Sequence, residues 1–286
     1  MKCAILGTGK IGIDLYYKLK KKKISKLSIY NLNPKSYGAK YCKKKKFNYY
    51  SSGINGALRN NNCQIIFDTT NANANISHFK KIKSKNIIMI NLTPSRIGKF
   101  YIPYIDDNKK NNYKSFNLIT CGGQSSVPVI YEISKYFKGI KYVEIVSAIS
   151  SKSAGLATRA NINEYLNLTS SAVKKYTKIK NIKTILNINP SSPPVNMSNS
   201  IYFEMKKKLN RSQILIIKKL IKKVNKKMIL FSKGYNSEFI SKLNDNTFKI
   251  TLNVIGDGDY LPKYSGNLDI ITNAAANIAS KFIERV

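Results

Sequence analysis

Histidine is scarce in this sequence: His78 is the only one, and tryptophan is absent. Because no histidine follows residue 78, a nucleophile in the later part of the chain must be activated by helix amides, by the charge of a cofactor or by another base. His78 itself falls in a predicted helix that follows a predicted strand. We interpret it as a surface or capping residue rather than a catalyst.

Paired cysteines and long apolar runs are also missing. The four cysteines form no Cys-x-x-Cys pair, which argues against a zinc site and a disulfide framework, so we expect no metal and a reducing compartment. The apolar runs, such as residues 214–217, are far too short to cross a bilayer, and residues 2–6 predict a strand where a signal peptide would lie. We therefore expect a cytoplasmic protein without a membrane partner.

Acidic residues and arginines are few. The 50 Lys and Arg residues against 14 Asp and Glu give a net charge of +36, a balance often found in nucleic-acid-binding proteins. Only five of the basic residues are arginines, whereas base readout and bidentate phosphate recognition favour arginine. The lysines are spread along the chain. We interpret them as solvated surface and expect no nucleic-acid partner.

A glycine-rich turn follows the first predicted strand, residues 2–6, and precedes apolar residues at helical spacing. Its residues are Gly7, Thr8, Gly9, Lys10, Ile11 and Gly12. A strand, such a turn and a helix together are typical of a dinucleotide-binding motif, in which the glycines allow the tight turn, the approach of the pyrophosphate and close helix packing. We predict that residues 7–12 bind the pyrophosphate of a nicotinamide dinucleotide.

The second predicted strand ends at Asn31, where NAD-binding proteins often have a carboxylate that binds the ribose hydroxyls. An asparagine can still hydrogen-bond a hydroxyl, but it lacks the charge that repels a 2′-phosphate, and Lys35 is close in sequence. The choice between NAD and NADP is therefore open. Asn31 would also suit a turn over residues 31–34.

Cys121 is the predicted nucleophile. Hydroxyl residues and a proline at 125–128 predict a helix that begins just after it, and free N–H groups at such an end would lower the pKa of the thiol. A thiolate beside a nicotinamide can add to an aldehyde, lose a hydride and transfer the resulting acyl group. The alternative is a small buried cysteine without a catalytic role.

The strand patterns differ on the two sides of Cys121. Near-continuous apolar runs at 64–68 and 86–90 predict parallel strands covered on both faces, whereas 142–149 and 247–254 alternate and predict a sheet with one open face. Asn161 and Glu164 fit a capping box for a helix between the alternating strands.

Seven short motifs then occur in order along the chain. They are residues 7–12 (GTGKIG), 92–94 (LTP), 120–124 (TCGGQ), 149–155 (ISSKSAG), 158–162 (TRANI), 189–194 (NPSSPP) and 260–270 (YLPKYSGNLDI). Together they resemble the CoA-acylating acetaldehyde dehydrogenases that act with 4-hydroxy-2-oxovalerate aldolases.

This resemblance implies an activity and a set of site residues. The family oxidises acetaldehyde with NAD and coenzyme A to acetyl-CoA in the catabolism of aromatic hydrocarbons, and it receives the small aldehyde from the aldolase. Cys121 matches the cysteine that carries the acyl thioester, and Asn267 matches a residue near the nicotinamide. The implied cofactor segment comprises Ser153, Ala154, Gly155, Leu156, Ala157, Thr158, Arg159, Ala160 and Asn161.

The resemblance also implies an α/β fold of two domains. These are an N-terminal Rossmann domain with a doubly wound parallel sheet, residues 1–120, completed by a helix at 265–286, and a GAPDH-like α+β catalytic and dimerisation domain, residues 121–264, which would supply a homodimer contact. Two departures from the family pattern are Asn199, in place of an acidic residue, and Gly155-Leu156-Ala157, in place of Gly-Pro-Gly. A neutral Asn199 cannot act as a base, so we expect an impaired enzyme.

Two other functions are compatible with the same residues. A related NADP-dependent semialdehyde dehydrogenase would need an arginine for a substrate carboxylate, for which Arg159 is available, and usually a histidine, for which nothing is available after residue 78. A non-catalytic scaffold for the aldolase is favoured by Asn31 and Asn199 and disfavoured by Cys121.

Overall fold

The computed structural model shows two compact units, and each is described separately. The residues it describes are 2–24, 26–60, 63–107 and 113–283. The first unit comprises Met1–Ile119, Asp259–Leu261 and Ile271–Val286. The second unit comprises Thr120–Gly258 and Pro262–Ile270.

The described residues of the first unit form a parallel sheet of seven strands. In chain order the strands are β1 (Lys2–Leu6), β2 (Lys26–Tyr30), β3 (Tyr49–Tyr50), β4 (Ile65–Asp68), β5 (Ile88–Asn91), β6 (Lys99–Phe100) and β7 (Ser115–Asn117). Their spatial order is β3-β2-β1-β4-β5-β7-β6, so the winding direction reverses at β1. All four residues of β4 are buried, as expected for a strand with both faces covered.

Helices connect these strands, as parallel pairing requires. They are α1 (Lys10–Lys21), α2 (Tyr37–Lys44), α3 (Gly53–Asn60), α4 (Ala72–Ile82) and α5 (Pro103–Asp106). The predicted doubly wound parallel sheet is confirmed. The family resemblance implied this sheet, and the apolar runs at 64–68 and 86–90 predicted parallel strands covered on both faces.

The register of the sheet brings several strand ends to one edge. Leu6 is paired with Tyr30 on one side and with Asp68 on the other, and Asp68 is paired with Asn91. The residues that follow β1, β2 and β4 therefore lie next to one another at the carboxyl edge. This is the point where the strand order reverses, and ligands of open α/β sheets bind there.

The second unit contains a mixed sheet of five strands in the described part of the chain, in the order β11-β12-β10-β8-β9. The strands are β8 (Ile140–Ser150), β9 (Ile182–Asn189), β10 (Met197–Met205), β11 (Gly234–Lys242) and β12 (Thr247–Ile255). β8 and β9 are parallel, and the other pairs are antiparallel. Along β10 buried residues alternate with half-buried ones, so one face belongs to the core, and the predicted α+β class is confirmed.

The helices of the second unit are α6 (Cys121–Tyr136), α7 (Leu156–Ala160), α8 (Ile162–Thr177) and α9 (Arg211–Met228), and they are followed by α10 (Gly266–Ile283). Helices α6, α8 and α9 pack against this sheet, and α6 contacts both of the others. Residues 271–283 of α10 belong to the first unit, where the Thr272 hydroxyl donates to Asp14 Oδ2 at 2.5 Å. Within the described ranges, no helix has both the length and the apolar character needed to cross a membrane.

One predicted helix start and one predicted cap were wrong. The helix expected to begin within residues 125–128 begins at Cys121, because the Thr120 hydroxyl accepts a hydrogen bond from Gly123 N–H and caps it; Pro128 therefore lies inside the helix. The helix predicted after Asn161 does begin there, at Ile162, but the Asn161 side chain makes no cap hydrogen bond, so the capping box is not formed.

Candidate active site

The first unit has a cavity of about 690 Å³ at the carboxyl edge of its sheet. Its lining includes Gly7, Thr8, Gly9 and Lys10 of the predicted turn, Asn31, Asn33 and Ser36 after β2, and Thr69, Thr70 and His78 beyond β4. Ile11 and Gly12 lie in the first turn of α1. The sequence therefore located the turn correctly, and the fold adds the neighbouring strand ends to it.

The glycines of the turn are explained by close contacts. Gly7 has a φ of +106°, which disfavours any side chain, and it leads the chain from β1 into α1. A Cβ atom on Gly12 would lie 2.1 Å from the carbonyl oxygen of Gly7, so α1 packs against the turn at a distance only glycine permits. The first N–H groups of α1 then face the cavity edge, where an anion would be stabilised.

The side chain of Asn31 is hydrogen-bonded to residues of the glycine turn and of the loop after β2. Its Nδ2 donates to Thr8 Oγ1 at 2.8 Å and to Ser36 Oγ at 2.9 Å, while Leu32 N–H donates to its Oδ1. No Asp or Glu is found among the described residues that line the cavity. The polar groups near the end of β2 are therefore neutral, and Asn31 ties the loop after β2 to the glycine turn.

His78 is not the surface residue expected from the sequence. It is buried on α4, and its Nδ1 lies 2.7 Å from Asp68 Oδ2 at the end of β4. Asn75 Nδ2 donates to the same carboxylate oxygen at 2.9 Å. Helical spacing alone could not show this, because the partner comes from the preceding strand. A carboxylate at a strand end followed by a histidine on the crossover helix was the available signal.

Cys121 is the first residue of α6 in the second unit. All four cysteines lie in the described ranges, and only Cys121 is partly exposed, whereas Cys3, Cys42 and Cys63 are buried. Burial raises the pKa of Cys3 to about 12 and that of Cys42 to about 11. Ile119, just before the helix, has a φ of +52°, a rare conformation for a β-branched residue that occurs at functional sites.

The expected fall in the pKa of Cys121 was wrong in sign. Burial raises the pKa of this thiol, and the hydrogen bonds from the Tyr165 hydroxyl and the Gly122 backbone act in the opposite direction. The helix N-terminus is present as predicted, but the packing around the sulfur removes solvent that would stabilise a thiolate. The thiol therefore depends on its hydrogen-bond partners for ionisation.

Tyr165 is the residue that the sequence did not reveal. Its hydroxyl lies 3.5 Å from Cys121 Sγ and accepts a hydrogen bond from Gly122 N–H at 3.0 Å. The residue is buried on the inner face of α8. A tyrosine at a buried helical position was the only signal, because a buried phenol needs a polar partner, but the sequence did not say which one.

Asn199 is fully buried on β10. Its Nδ2 donates to Ser125 Oγ at 2.7 Å and to Ser126 Oγ at 2.6 Å, both on α6, and its Oδ1 has no partner in the part of the chain that the structure describes. The neutral side chain therefore links α6 to the sheet. An amide bound in this way cannot serve as a base.

The segment 153–161 and Asn267 belong to the second unit. Ser153 donates to the carbonyl of Ser150, Arg159 Nη2 donates to Ser151 Oγ at 2.8 Å, and residues 156–160 form the short helix α7 rather than an open loop. The side chains of Leu156 and Ala157 lie outside the described residues. Asn267 is buried, and its Oδ1 has no partner within the described ranges.

These two units define a class of protein. Their fold is that of two-domain semialdehyde dehydrogenases: the chain is similar to the crystal structure of aspartate semialdehyde dehydrogenase II complexed with ASA from Vibrio cholerae, with a TM-score of 0.65, 11% identity and coverage of 100% of this chain and 99% of that one. At this identity the similarity concerns the fold alone.

The family is given by closer relatives. The chain is 37% identical to an acetaldehyde dehydrogenase of Geobacillus stearothermophilus over 98% of this chain and 95% of that protein, and 35% identical to one of Pectobacterium atrosepticum over 96% and 93%. A family model described as "Prokaryotic acetaldehyde dehydrogenase, dimerisation" matches residues 121–262. The chain belongs to the acetaldehyde dehydrogenase family, and the resemblance drawn from its motifs is confirmed.

Proposed function

We propose that the protein oxidises acetaldehyde to the acyl thioester of coenzyme A and passes the hydride to NAD. The observation that carries this proposal is Cys121, a partly exposed residue at the first position of α6 with a hydroxyl group 3.5 Å from its sulfur. Family membership supports the substrate, since the relatives are named acetaldehyde dehydrogenases. The proposed reaction needs one nucleophile, one hydride acceptor and one acyl acceptor.

The cavity of the first unit fits a dinucleotide. Gly7, Gly9 and Gly12 form the expected turn, and the first N–H groups of α1 are available for a diphosphate. The bound nicotinamide supplies the hydride acceptor. We propose Thr8, Lys10 and Ile11 as further residues of this turn, and residues 153–161 with Asn267 as further cofactor-binding residues.

NAD is the proposed dinucleotide, but the cavity does not select against a 2′-phosphate by charge. The described lining residues include no carboxylate, and Asn31 is neutral. The repulsion that normally rejects NADP is therefore missing from this part of the site. Titration with both dinucleotides distinguishes binding of NAD alone from binding of either one.

Cys121 carries the chemistry on the protein side. Its thiolate adds to the carbonyl carbon of the aldehyde, the carbon loses a hydride, and the acyl group is left on sulfur as a thioester. The thiol of coenzyme A then takes the acyl group and restores the free cysteine.

Two partners are part of the proposal. The match of residues 121–262 to a dimerisation family model supports a homodimer through the second unit. The association with 4-hydroxy-2-oxovalerate aldolase is proposed from the sequence motifs shared with the family. The cytoplasmic location is proposed from the cysteine content, which suits a reducing compartment. Copurification with the aldolase would test the association directly.

The test is NADH formation from acetaldehyde by the purified protein, with and without coenzyme A, together with Cys121→Ser. The matched control is Cys63→Ser, because Cys63 is buried and its sulfur donates to the carbonyl of Ala57, a bond that serine can also make. We expect CoA-dependent turnover that Cys121→Ser abolishes and Cys63→Ser retains. Turnover that survives Cys121→Ser would contradict the proposal.

A non-catalytic scaffold is the second candidate, and the buried neutral amide of Asn199 is the observation that favours it. It predicts that the protein binds NAD and the aldolase but forms no NADH under any of these conditions. Measurable CoA-dependent turnover would exclude it.

A further inference from the structure

The hydroxyl of Tyr165 is the meeting point of three polar groups in the second unit. Gly122 N–H lies 3.0 Å from it, and Cys121 Sγ lies 3.5 Å from it. The third group is the buried hydroxyl of Ser147 on β8, which is hydrogen-bonded to the phenol. The three come from α6, α8 and β8, so the arrangement depends on how these elements pack.

The hydrogen bond from Gly122 leaves the phenol proton free to be donated. A phenol has one proton and two lone pairs, and a backbone N–H can only donate, so the Tyr165 oxygen accepts from Gly122. Burial holds the pKa of Tyr165 well above its usual range, so the phenol keeps its proton. Cys121 Sγ, 3.5 Å from the oxygen, is within reach of that proton.

We propose that Tyr165 is a catalytic residue: its neutral hydroxyl donates a hydrogen bond to the Cys121 sulfur and stabilises the attacking thiolate. This inference rests on the proposed function, in which that thiolate attacks the aldehyde. A charge-assisted bond of this kind is stronger than one between neutral groups. The single histidine of the chain is bonded to Asp68 in the first unit. A phenol therefore takes the place beside the sulfur that a histidine occupies in Cys–His pairs.

Close packing and hydrogen bonds hold the Tyr165 hydroxyl near the Cys121 sulfur. A Cβ atom on Gly122 would lie 2.3 Å from the Tyr165 hydroxyl and 2.7 Å from Ser147 Oγ, so the two hydroxyls can occupy these positions only because residue 122 is a glycine. The Thr169 hydroxyl, one turn along α8, donates to the Tyr165 carbonyl at 2.8 Å and lies 2.6 Å from the hydroxyl of Thr120, the cap of α6. The phenol is thus fixed to the helix that carries Cys121.

The experiment is the pH dependence of Cys121 alkylation by iodoacetamide in the full-length protein and in Tyr165→Phe. The other three cysteines are buried, and Cys121→Ser supplies the background rate. Loss of the hydrogen bond should raise the midpoint of alkylation by about one pKa unit, which corresponds to about tenfold slower alkylation below the midpoint. Turnover of acetaldehyde should fall by a similar factor.

Tyr235→Phe is the matched control. Tyr235 is also buried in the second unit, and its hydroxyl donates to the carbonyl of Ser125 on α6 at 2.9 Å, so this variant also removes one buried hydroxyl that contacts the helix of Cys121. We expect its alkylation midpoint to equal that of the unmodified protein. Equal midpoints for Tyr165→Phe and the unmodified protein, or equal shifts in both variants, would overturn the assignment.

If Tyr165→Phe does not fold, replacement of Tyr165 by 3-fluorotyrosine gives the same test, because a more acidic phenol is a stronger donor and should lower the midpoint. An unchanged midpoint would again overturn the assignment. Alkylation needs no aldehyde or coenzyme, so the two proposals fail separately. If the midpoint shifts in Tyr165→Phe but the protein does not turn over acetaldehyde, the hydrogen bond is supported and the proposed function is refuted. If the protein turns over acetaldehyde but the midpoint does not shift, the proposed function is supported and the role of Tyr165 is refuted.

Discussion

Two glycines of the same turn should respond in opposite ways to alanine. An alanine Cβ at Gly9 would have no heavy atom of the described residues within 4 Å, and the backbone there, at φ −73° and ψ 179°, suits any residue. At Gly12 the added atom would lie 2.1 Å from the carbonyl oxygen of Gly7 and 2.8 Å from Thr69 Oγ1. The protein therefore leaves room for a methyl group at Gly9, whereas at Gly12 other atoms of the protein already occupy that space.

The expected changes in stability follow from these contacts. Gly12→Ala must push α1 away from the turn, and overpacking of this kind costs about 2 kcal/mol, which should lower Tm by roughly 4–8 °C. At Gly9 the poorer capping by alanine, about 0.5 kcal/mol, is offset by a gain of similar size from the stiffer unfolded chain. The free energy of unfolding of Gly9→Ala should therefore stay within about 0.5 kcal/mol of the original value.

Nucleotide binding separates the two variants from a purely structural turn. A methyl group at Gly9 would stand where the diphosphate approaches the backbone, so NAD affinity should fall by about tenfold or more although stability is unchanged. Thermal unfolding and calorimetric titration with NAD on both variants provide the measurements. If Gly9→Ala binds NAD as tightly as the original protein, the diphosphate does not lie on this turn. A fully stable Gly12→Ala would show that the close contact with the Gly7 carbonyl does not constrain α1.

Two further substitutions test the neighbouring strand ends. Asn31→Asp adds a negative charge beside the cavity, so the affinity for NADP should fall by about tenfold more than the affinity for NAD. Competition titration with the two dinucleotides measures this difference. Equal losses of affinity would argue against a ribose site at Asn31. His78→Leu leaves Asp68 Oδ2 without its histidine partner and should lower the free energy of unfolding in urea by about 3 kcal/mol. His78→Gln can still donate a hydrogen bond, so it should lower this free energy by less. Equal decreases in the two variants would contradict a stabilising role for this hydrogen bond.

The first sheet was predictable because its signals are local. A strand buried on both faces must be apolar throughout, and residues 65–68 show this within four positions. The glycine turn was also readable, since the close approach of α1 excludes any side chain at Gly12. These constraints act between residues near in sequence, or on every residue of a strand alike, and they leave a direct trace in the residue types.

The surroundings of Cys121 were not predictable in the same way. The position of Cys121 near a helix start was correct, but the helix began earlier because of the Thr120 hydroxyl, and burial reversed the expected direction of the thiol pKa. The phenol of Tyr165 and the carboxylate partner of His78 come from other elements. No periodicity in the neighbourhood of Cys121 or His78 encodes these contacts.

The residue pattern thus established the buried parallel strands of the first unit, the glycine turn and the place of Cys121 near a helix start, because these depend on propensity, burial periodicity and glycine spacing over short stretches. The folded chain established which groups surround the sulfur and where the lone histidine is bonded. Desolvation and hydrogen bonding depend on atoms that meet only when distant helices and strands pack together, and no single stretch of sequence contains that information.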